Sequence, residues 1–239
     1  MAEGAHPAAV QLPLAIRWND VVSFEQFVAG ANAQALAAVS ASAAGEAQGS
    51  LYLFGESGCG RSHLLQAACR RCGELGLPAV YLPLGQRAGL SPDLLEGLEN
   101  MALVALDDLQ AVAGSSDWEE ALFHLYNRMQ ESGGCLLLSA SGRPVDLGLE
   151  LADLESRLNW GLVHRLQVLA DEDLLSALEI RAKARGLELP ADTGRYLISH
   201  YPRNAGSLFA MLDRLDLAAL SAQRRLTIPF VKQVFDQSR

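Results

Sequence analysis

The sequence predicts an α/β protein, a parallel sheet covered by helices, followed by a small all-helical domain. Three observations carry this prediction. Short apolar runs alternate with helix-patterned segments between residues 51 and 169. One run, residues 102–106, is apolar at every position, as a strand buried on both faces requires. From Asp171 onward the period changes and only helical patterns remain.

The elements follow in order. Residues 1–20 have neither helical nor strand period and contain Pro7 and Pro13, so they read as a flexible N-terminal arm. The alanine-rich run from Ala33 to Val39 predicts a helix ending near Gly45, because alanine is the best helix former. Residues 51–54 form a first strand that enters a glycine turn, and Leu64, Leu65, Ala67 and Ala68 mark the helix after it. Residues 79–82 form a second strand. Ser91-Pro92 opens a short helix with a capping residue and a proline at its first position. The third strand is 102–106. Asp117 and Glu120 resemble a capping box for a helix carrying Leu122, Leu125, Tyr126 and Met129. Residues 136–138 and 166–169 are the fourth and fifth strands, and helices are expected at 171–185, 190–200, 205–222 and 229–237. The resulting division is an arm at 1–20, an α/β domain at 21–170 and a helical domain at 171–239.

Composition narrows the function. In 239 residues, 19 Lys and Arg face 28 Asp and Glu, a formal charge of −9, with a pI near 5.0. That balance argues against a broad electrostatic grip on DNA, which needs clustered cations to displace counterions. Cys59, Cys69, Cys72 and Cys135 are too few and too irregular for a disulfide framework. Cys69 and Cys72 form one CxxC without a second ligand pair, so a buried helical face is the better reading than a zinc site. The start carries no basic, then apolar, targeting pattern, and no run approaches the roughly 20 apolar residues of a membrane span. A cytoplasmic protein is the expectation. Trp18, Trp118 and Trp160 read as packing anchors, and His63, His124, His164 and His200 show no metal spacing.

Two segments carry chemistry. Gly55-Glu56-Ser57-Gly58-Cys59-Gly60-Arg61-Ser62 lies between a predicted strand and a predicted helix. It matches G-x-x-x-x-G-K-[S/T] except that Arg61 replaces lysine. In such a loop, backbone N–H groups at Ser57, Gly58, Cys59 and Gly60 curl around phosphate oxygens, and the following helix offers its positive end. Ser62 is the expected Mg²⁺ ligand. A purely structural glycine turn is the plainer alternative. Arg61 is larger and planar where lysine is a compact charge, so the loop is expected to hold a nucleoside diphosphate and to hydrolyse poorly. Leu106-Asp107-Asp108 ends the third strand with paired carboxylates. Asp107 would hold Mg²⁺ through water and Asp108 would orient an attacking water, although paired acids after a strand also serve as helix caps.

Together, the phosphate loop, the paired-acid strand and the all-helical C-terminal part resemble the AAA+ ATPases, and further segments resemble their DnaA branch. Residues 24–32, FEQFVAGAN, look like its F-x-x-F-V-x-G-x-x-N entry segment, residues 107–110 like its D-D-I-Q, and residues 154–162, LESRLNWGL, like its L-x-S-R-F-x-W-G-L. The resemblance implies that Val28 and Asn32 lie against the nucleotide, that His63 joins Arg61 and Ser62 beside it, and that Arg157 is an arginine finger. Taken alone, Arg157 reads better as a surface arginine paired within its own helix with Glu155 or Asp153. Ser141 falls at the sensor 1 position, and Gly206 stands where the branch has its sensor 2 arginine, with Arg203 nearby as a substitute phosphate contact.

DnaA continues into a basic helix-turn-helix domain, whereas this sequence stops at Arg239. The arm also carries Gln11-Leu12-Pro13-Leu14-Ala15-Ile16. That segment resembles the Q-L-x-L-x-[L/F] peptide by which bacterial proteins dock on the DNA polymerase sliding clamp, with Gln11, Leu12, Leu14 and Ile16 as anchors. These features resemble the Hda group of DnaA regulators. The resemblance implies an ADP-bound protein that meets DNA through the clamp, pairs with DnaA, stimulates DnaA's ATP hydrolysis through Arg157, and self-associates, a dimer being favoured. The rival expectation is an active AAA+ ATPase, such as a helicase loader or a DnaA-like assembly factor; a third is a nucleotide-binding adaptor without effect on DnaA.

Overall fold

A computed structural model describes residues 22–86, 90–222 and 224–236. The expected arm, with Gln11, Leu12, Leu14, Ile16 and Trp18, lies outside the described residues. The chain runs through α1 (Ala33–Ala43), β1 (Gly49–Phe54), α2 (Arg61–Glu74), β2 (Ala79–Pro83), β3 (Leu103–Asp107), α3 (Ser116–Ser132), β4 (Cys135–Ala140), α4 (Ala152–Trp160) and β5 (Leu162–Arg165). Four helices follow: α5 (Asp171–Ala184), α6 (Ala191–His200), α7 (Ala205–Ala222) and α8 (Ile228–Asp236).

The five strands form one parallel sheet in the order β2-β3-β4-β1-β5. Strand alternation sends neighbouring side chains to opposite faces. Leu51, Leu53, Leu103, Ala105 and Leu137 meet α1 and α2 through Val39, Leu64, Leu65, Cys69 and Cys72. Tyr52, Val104, Leu106, Leu136 and Leu138 meet α3 and α4 through Trp118, Leu125, Met129, Leu154 and Leu158. Both faces are covered, so the inner strands read as unbroken apolar runs. The helical part has its own core, built on Leu178, Leu197, Leu208, Leu212 and Val231. No described helix is long and apolar enough to cross a membrane. All four cysteines are free and buried, as the helical-face reading of Cys69 and Cys72 expects.

Three expectations need correction. The fifth strand is β5, Leu162–Arg165, and residues 166–169 follow it as irregular chain. An edge strand pairs on one side only, and Leu162 and Val163 face outward, so no buried run marks it. Asp117 and Glu120 do not cap α3: its N-cap is Ser115, and both acids are exposed within the helix. The acid that reaches back is Glu119, whose carboxylate accepts the Gly114 N–H at 2.7 Å. Trp160 is no packing anchor, being 75% exposed, whereas Trp118 is buried as expected.

Candidate functional site

The phosphate loop spans the short gap between the end of β1 and the start of α2. Gly58 and Gly60 hold φ of +84° and +101°, a region that disfavours side chains. A Cβ on Gly60 would meet the Phe27 ring at 2.6 Å, and one on Gly58 would meet Asn204 at 2.6 Å. The entry segment and the helical part therefore close on the loop from two sides. Asn204 donates from Nδ2 to the Ser57 carbonyl at 2.7 Å, while its Oδ1 accepts the Ser207 N–H at the start of α7.

Arg61 opens α2, with its side chain only 11% exposed. Its guanidinium donates to the Gly55 carbonyl at 3.0 Å and sits 3.5 Å from Asp108 Oδ1. Asp108 has a φ of +62°, unlike any other non-glycine among the described residues. Three further groups hold it there. Its N–H donates to Ser139 Oγ at 3.3 Å, Gln110 Nε2 donates to its Oδ1 at 2.9 Å, and Gly85 packs against its carboxylate. A left-handed aspartate persists where its surroundings over-determine it. Gln110 also accepts the Ser141 N–H at 3.0 Å. A polar chain thus runs from the loop through Arg61, Asp108 and Gln110 to the end of β4.

Asp107 is buried beneath this chain. The Ser139 hydroxyl donates to its Oδ1, and the Tyr81 hydroxyl donates to its Oδ2 at 2.8 Å. Burial, reinforced by the Asp107 charge, raises the Tyr81 phenol far above its ordinary range, so it remains a donor. Burial likewise raises the Cys59 thiol, which leaves it no thiolate chemistry near neutrality.

The other expected contacts fall as follows. Asn32 is buried and clamps the backbone of Gln167, donating to its carbonyl at 2.9 Å and accepting its N–H at 2.7 Å. His63 Nε2 donates to the Ser23 carbonyl at 2.8 Å, and its ring lies 5.5 Å from Phe27. Burial lowers the His63 pKa from 6.5, aided by the Arg181 charge and opposed by the bond to Ser23. Val28 joins Phe27, Leu169, Ala205 and Phe209 around a cavity of about 50 Å³ above Gly58 and Gly60. Arg203 pairs with Asp171 at the start of α5, and the structure brings Asn204 rather than Arg203 onto the loop. Ser141 is exposed, and Ser139 is the β4 residue that touches Asp107. Gln110, Tyr81, Ser139 and Asn204 are site residues that motif spacing does not assign. Gln110 does stand inside the quoted segment 107–110.

The residues present fit a nucleotide with Mg²⁺. The glycine cradle leaves no space for Cβ atoms, and Ser62 and Asp107 supply the oxygen donors that this cation prefers. No cluster of three or more metal-ligating side chains occurs among the described residues, so a cation there would lean on phosphate oxygens and water.

Arg157 stands apart from this centre. It lies on α4, and with Trp160, Gly161, Gly49, Ser50 and Cys135 it lines a cleft of about 540 Å³ at the end of the sheet where β1 and β4 begin. The phosphate loop lies at the other end of β1, roughly 17 Å away for a six-residue strand. The Arg157 guanidinium stacks over the Trp160 ring at 4.9 Å and has no carboxylate partner among the described residues. Glu119, which is 0% exposed, sets the helix that carries it. Its Oε2 accepts the Glu150 and Leu151 N–H groups at 2.9 and 2.7 Å, immediately before α4 begins.

Comparison with known proteins gives a consistent picture. The family described as the bacterial DnaA ATPase domain matches residues 18–76 and 91–165. The family described as Hda, lid domain, matches residues 171–235. Among solved structures, domain III of the replication initiation protein DnaA from Thermotoga maritima aligns with a TM-score of 0.79 at 21% identity, covering 92% of this chain and 97% of that one. DnaA from Aquifex aeolicus bound to AMPPCP aligns at 0.70 and 21% identity, covering 86% and 68%. A mutant of RuvB from Thermotoga maritima aligns at 0.66 and 15%, covering 90% and 71%.

Proposed function

The chain belongs to the DnaA-related AAA+ family, as an Hda-like member, and from that premise we propose that it is a nucleotide-holding regulator that switches DnaA off. Family membership itself gives the coarser statement, a role tied to DnaA and replication initiation. The finer reading is that the protein holds ADP, docks on the DNA-loaded sliding clamp through Gln11, Leu12, Leu14 and Ile16, and presents Arg157 to ATP bound by a neighbouring DnaA.

One observation carries the reading above the others: Arg157 lies at the opposite end of the sheet from its own phosphate loop and has no carboxylate partner among the described residues. A guanidinium so placed has no task in its own site, and the cleft it lines is shared with Trp160 and Leu162, which are 75% and 58% exposed. Placed against a second AAA+ subunit, it stabilises charge that develops on a transferring phosphoryl group, an effect on the order of 10³–10⁵ in rate. The same face would pair two copies of this chain when DnaA is absent.

The protein's own site supports the regulatory side of the reading. Arg61 is held by the Gly55 carbonyl and by Asp108, so Asp108 is not free to orient a water. A bound nucleotide would contribute phosphates for the loop N–H groups to hold, with Ser62 and Asp107 turned towards a Mg²⁺ ion beside them. Here it serves to order the loop and the helical part that closes on it.

The test is DnaA-bound ATP hydrolysis with this protein, with and without DNA-loaded clamp. Hydrolysis rises only when both are present, and removal of residues 1–16 abolishes both clamp binding and the rise. Full clamp binding by the truncated protein would show the arm to be misread. Rapid ATP turnover by the purified protein alone would favour the rival ATPase reading.

A further inference from the structure

Arg157 and Trp160 sit three residues apart on α4, so their side chains are neighbours on one helix face. Side chains on a helix lean towards its N-terminus, which brings the indole back over the turn that carries Arg157. The guanidinium lies 4.9 Å from the ring centroid. Asp153 stands four residues before Arg157, the spacing at which a helical ion pair would form. Arg157 makes no such pair among the described residues and takes the ring instead. Trp160 is 75% exposed, while Leu154 and Leu158 of the same helix are buried against the sheet. The indole thus adds little to the core. Its backbone is nonetheless fixed, because a Cβ on the following Gly161 would overlap the carbonyl and hydroxyl oxygens of Ser50. Glycine there lets the end of α4 press on the start of β1, where the Ser50 hydroxyl meets the buried Tyr126 hydroxyl at 3.1 Å.

We infer that Trp160 is a positioning residue for Arg157, a fixed aromatic platform that keeps the guanidinium both aimed and charged. The inference rests on the reading of Arg157 as a group that acts on ATP held by a neighbouring subunit. An arginine without a partner spreads over many rotamers, each of which carries the guanidinium to a different place. A misplacement of about 1 Å can cost about a hundredfold in rate, so a finger needs something to hold it. A carboxylate would hold the guanidinium by its N–H edge and offset its charge. The indole holds the guanidinium by its face through cation–π attraction. The N–H donors at the edge then stay free for phosphate oxygens, and no ion pair has to break when the neighbour's phosphate arrives.

The experiment follows hydrolysis of DnaA-bound ATP, with DNA-loaded clamp, over a concentration series of the full chain and its variants. Each series gives a maximal rate and a half-saturating concentration. Trp160→Ala is expected to lower the maximal rate about fivefold and to move the half-saturating concentration by less than about twofold. Trp160→Phe keeps a ring face and is expected to recover at least about half of the maximal rate. An unchanged maximal rate in Trp160→Ala would overturn the positioning role, and a raised half-saturating concentration beside it would make the indole a contact for DnaA. Absence of recovery in Trp160→Phe would overturn it as well. Arg157→Ala in the same series separates the two readings. Full stimulation by that variant removes the finger itself, and this inference with it. Lost stimulation there, beside an unimpaired Trp160→Ala, removes the role of Trp160 alone. NMR of the free, unaltered protein gives an arm that needs neither DnaA nor a folded variant. The indole ring current is expected to displace the Arg157 side-chain resonances from those of an unstacked arginine, and ordinary positions would overturn the platform.

Discussion

At the scale of single residues, the site is set by what Arg61 and Asp108 do to each other. Lysine at position 61 would be a compact charge on a flexible stem. It would not bridge the Gly55 carbonyl and Asp108 together, as the guanidinium does. Arg61→Lys is therefore expected to free Asp108 and raise the protein's own ATP hydrolysis at least about tenfold, measured as phosphate release under single-turnover conditions. Unchanged release would mean that the Arg61–Asp108 pair does not restrain the site. The departure at position 61 is legible in the sequence because the motif has fixed positions. Its consequence is not legible, because the partners lie 6 residues before it and 47 residues after it, joined only by the fold.

At the scale of elements, the sequence reveals what is buried on both faces and conceals what is exposed. Strands β1, β3 and β4 stand out because helices cover the inner sheet, and the edge strand β2 stands out because Tyr81 and Leu82 are buried. β5 is an edge strand with Leu162 and Val163 outward, so the apolar run at 166–169 draws attention away from it. The start of α3 shows a related limit, since two exposed acids fit the capping-box spacing while buried Glu119 does the tying. Glu119 accepts three backbone N–H groups and fixes the entry to α4. Glu119→Gln keeps the shape and removes the charge, and is expected to cost about 3 kcal/mol in denaturant unfolding. A loss below about 1 kcal/mol would show that α4 is held by its packing through Leu154 and Leu158 alone. In the core, Leu64→Ala is expected to cost about 2–5 kcal/mol, because Leu64 is fully buried between α2 and the sheet.

At the scale of the whole molecule, the helical part and the entry segment close on the phosphate loop by few polar contacts. Asn204 to Ser57 is one, while Asn32 ties the entry segment to Gln167 in the chain between β5 and α5. Asn204→Ala removes about 1 kcal/mol of hydrogen bonding, and is expected to speed nucleotide release about fivefold in a displacement assay. His63 couples the same closure to pH. Its folded pKa lies below the 6.5 of an unfolded histidine, so below that pH the unfolded chain binds more protons than the folded one. Stability from His63 is then present at neutral pH and lost as pH falls from about 6.5 towards the folded value. Denaturant midpoints at stepwise lower pH should fall over that window, and fall less in His63→Gln. On the function proposed above, Arg157 belongs to this scale as well, since a finger acts only where a second subunit supplies the phosphate.

That placement is tested most directly by ATP hydrolysis on DnaA, with DNA-loaded clamp and either the unaltered protein or Arg157→Ala, alongside the binding of each to DnaA. The account predicts that Arg157→Ala binds DnaA within about fivefold of the unaltered protein, since a cation–π contact of this kind is worth only about 0.5–1 kcal/mol, while hydrolysis falls to the rate of DnaA alone. Full stimulation by Arg157→Ala would contradict it.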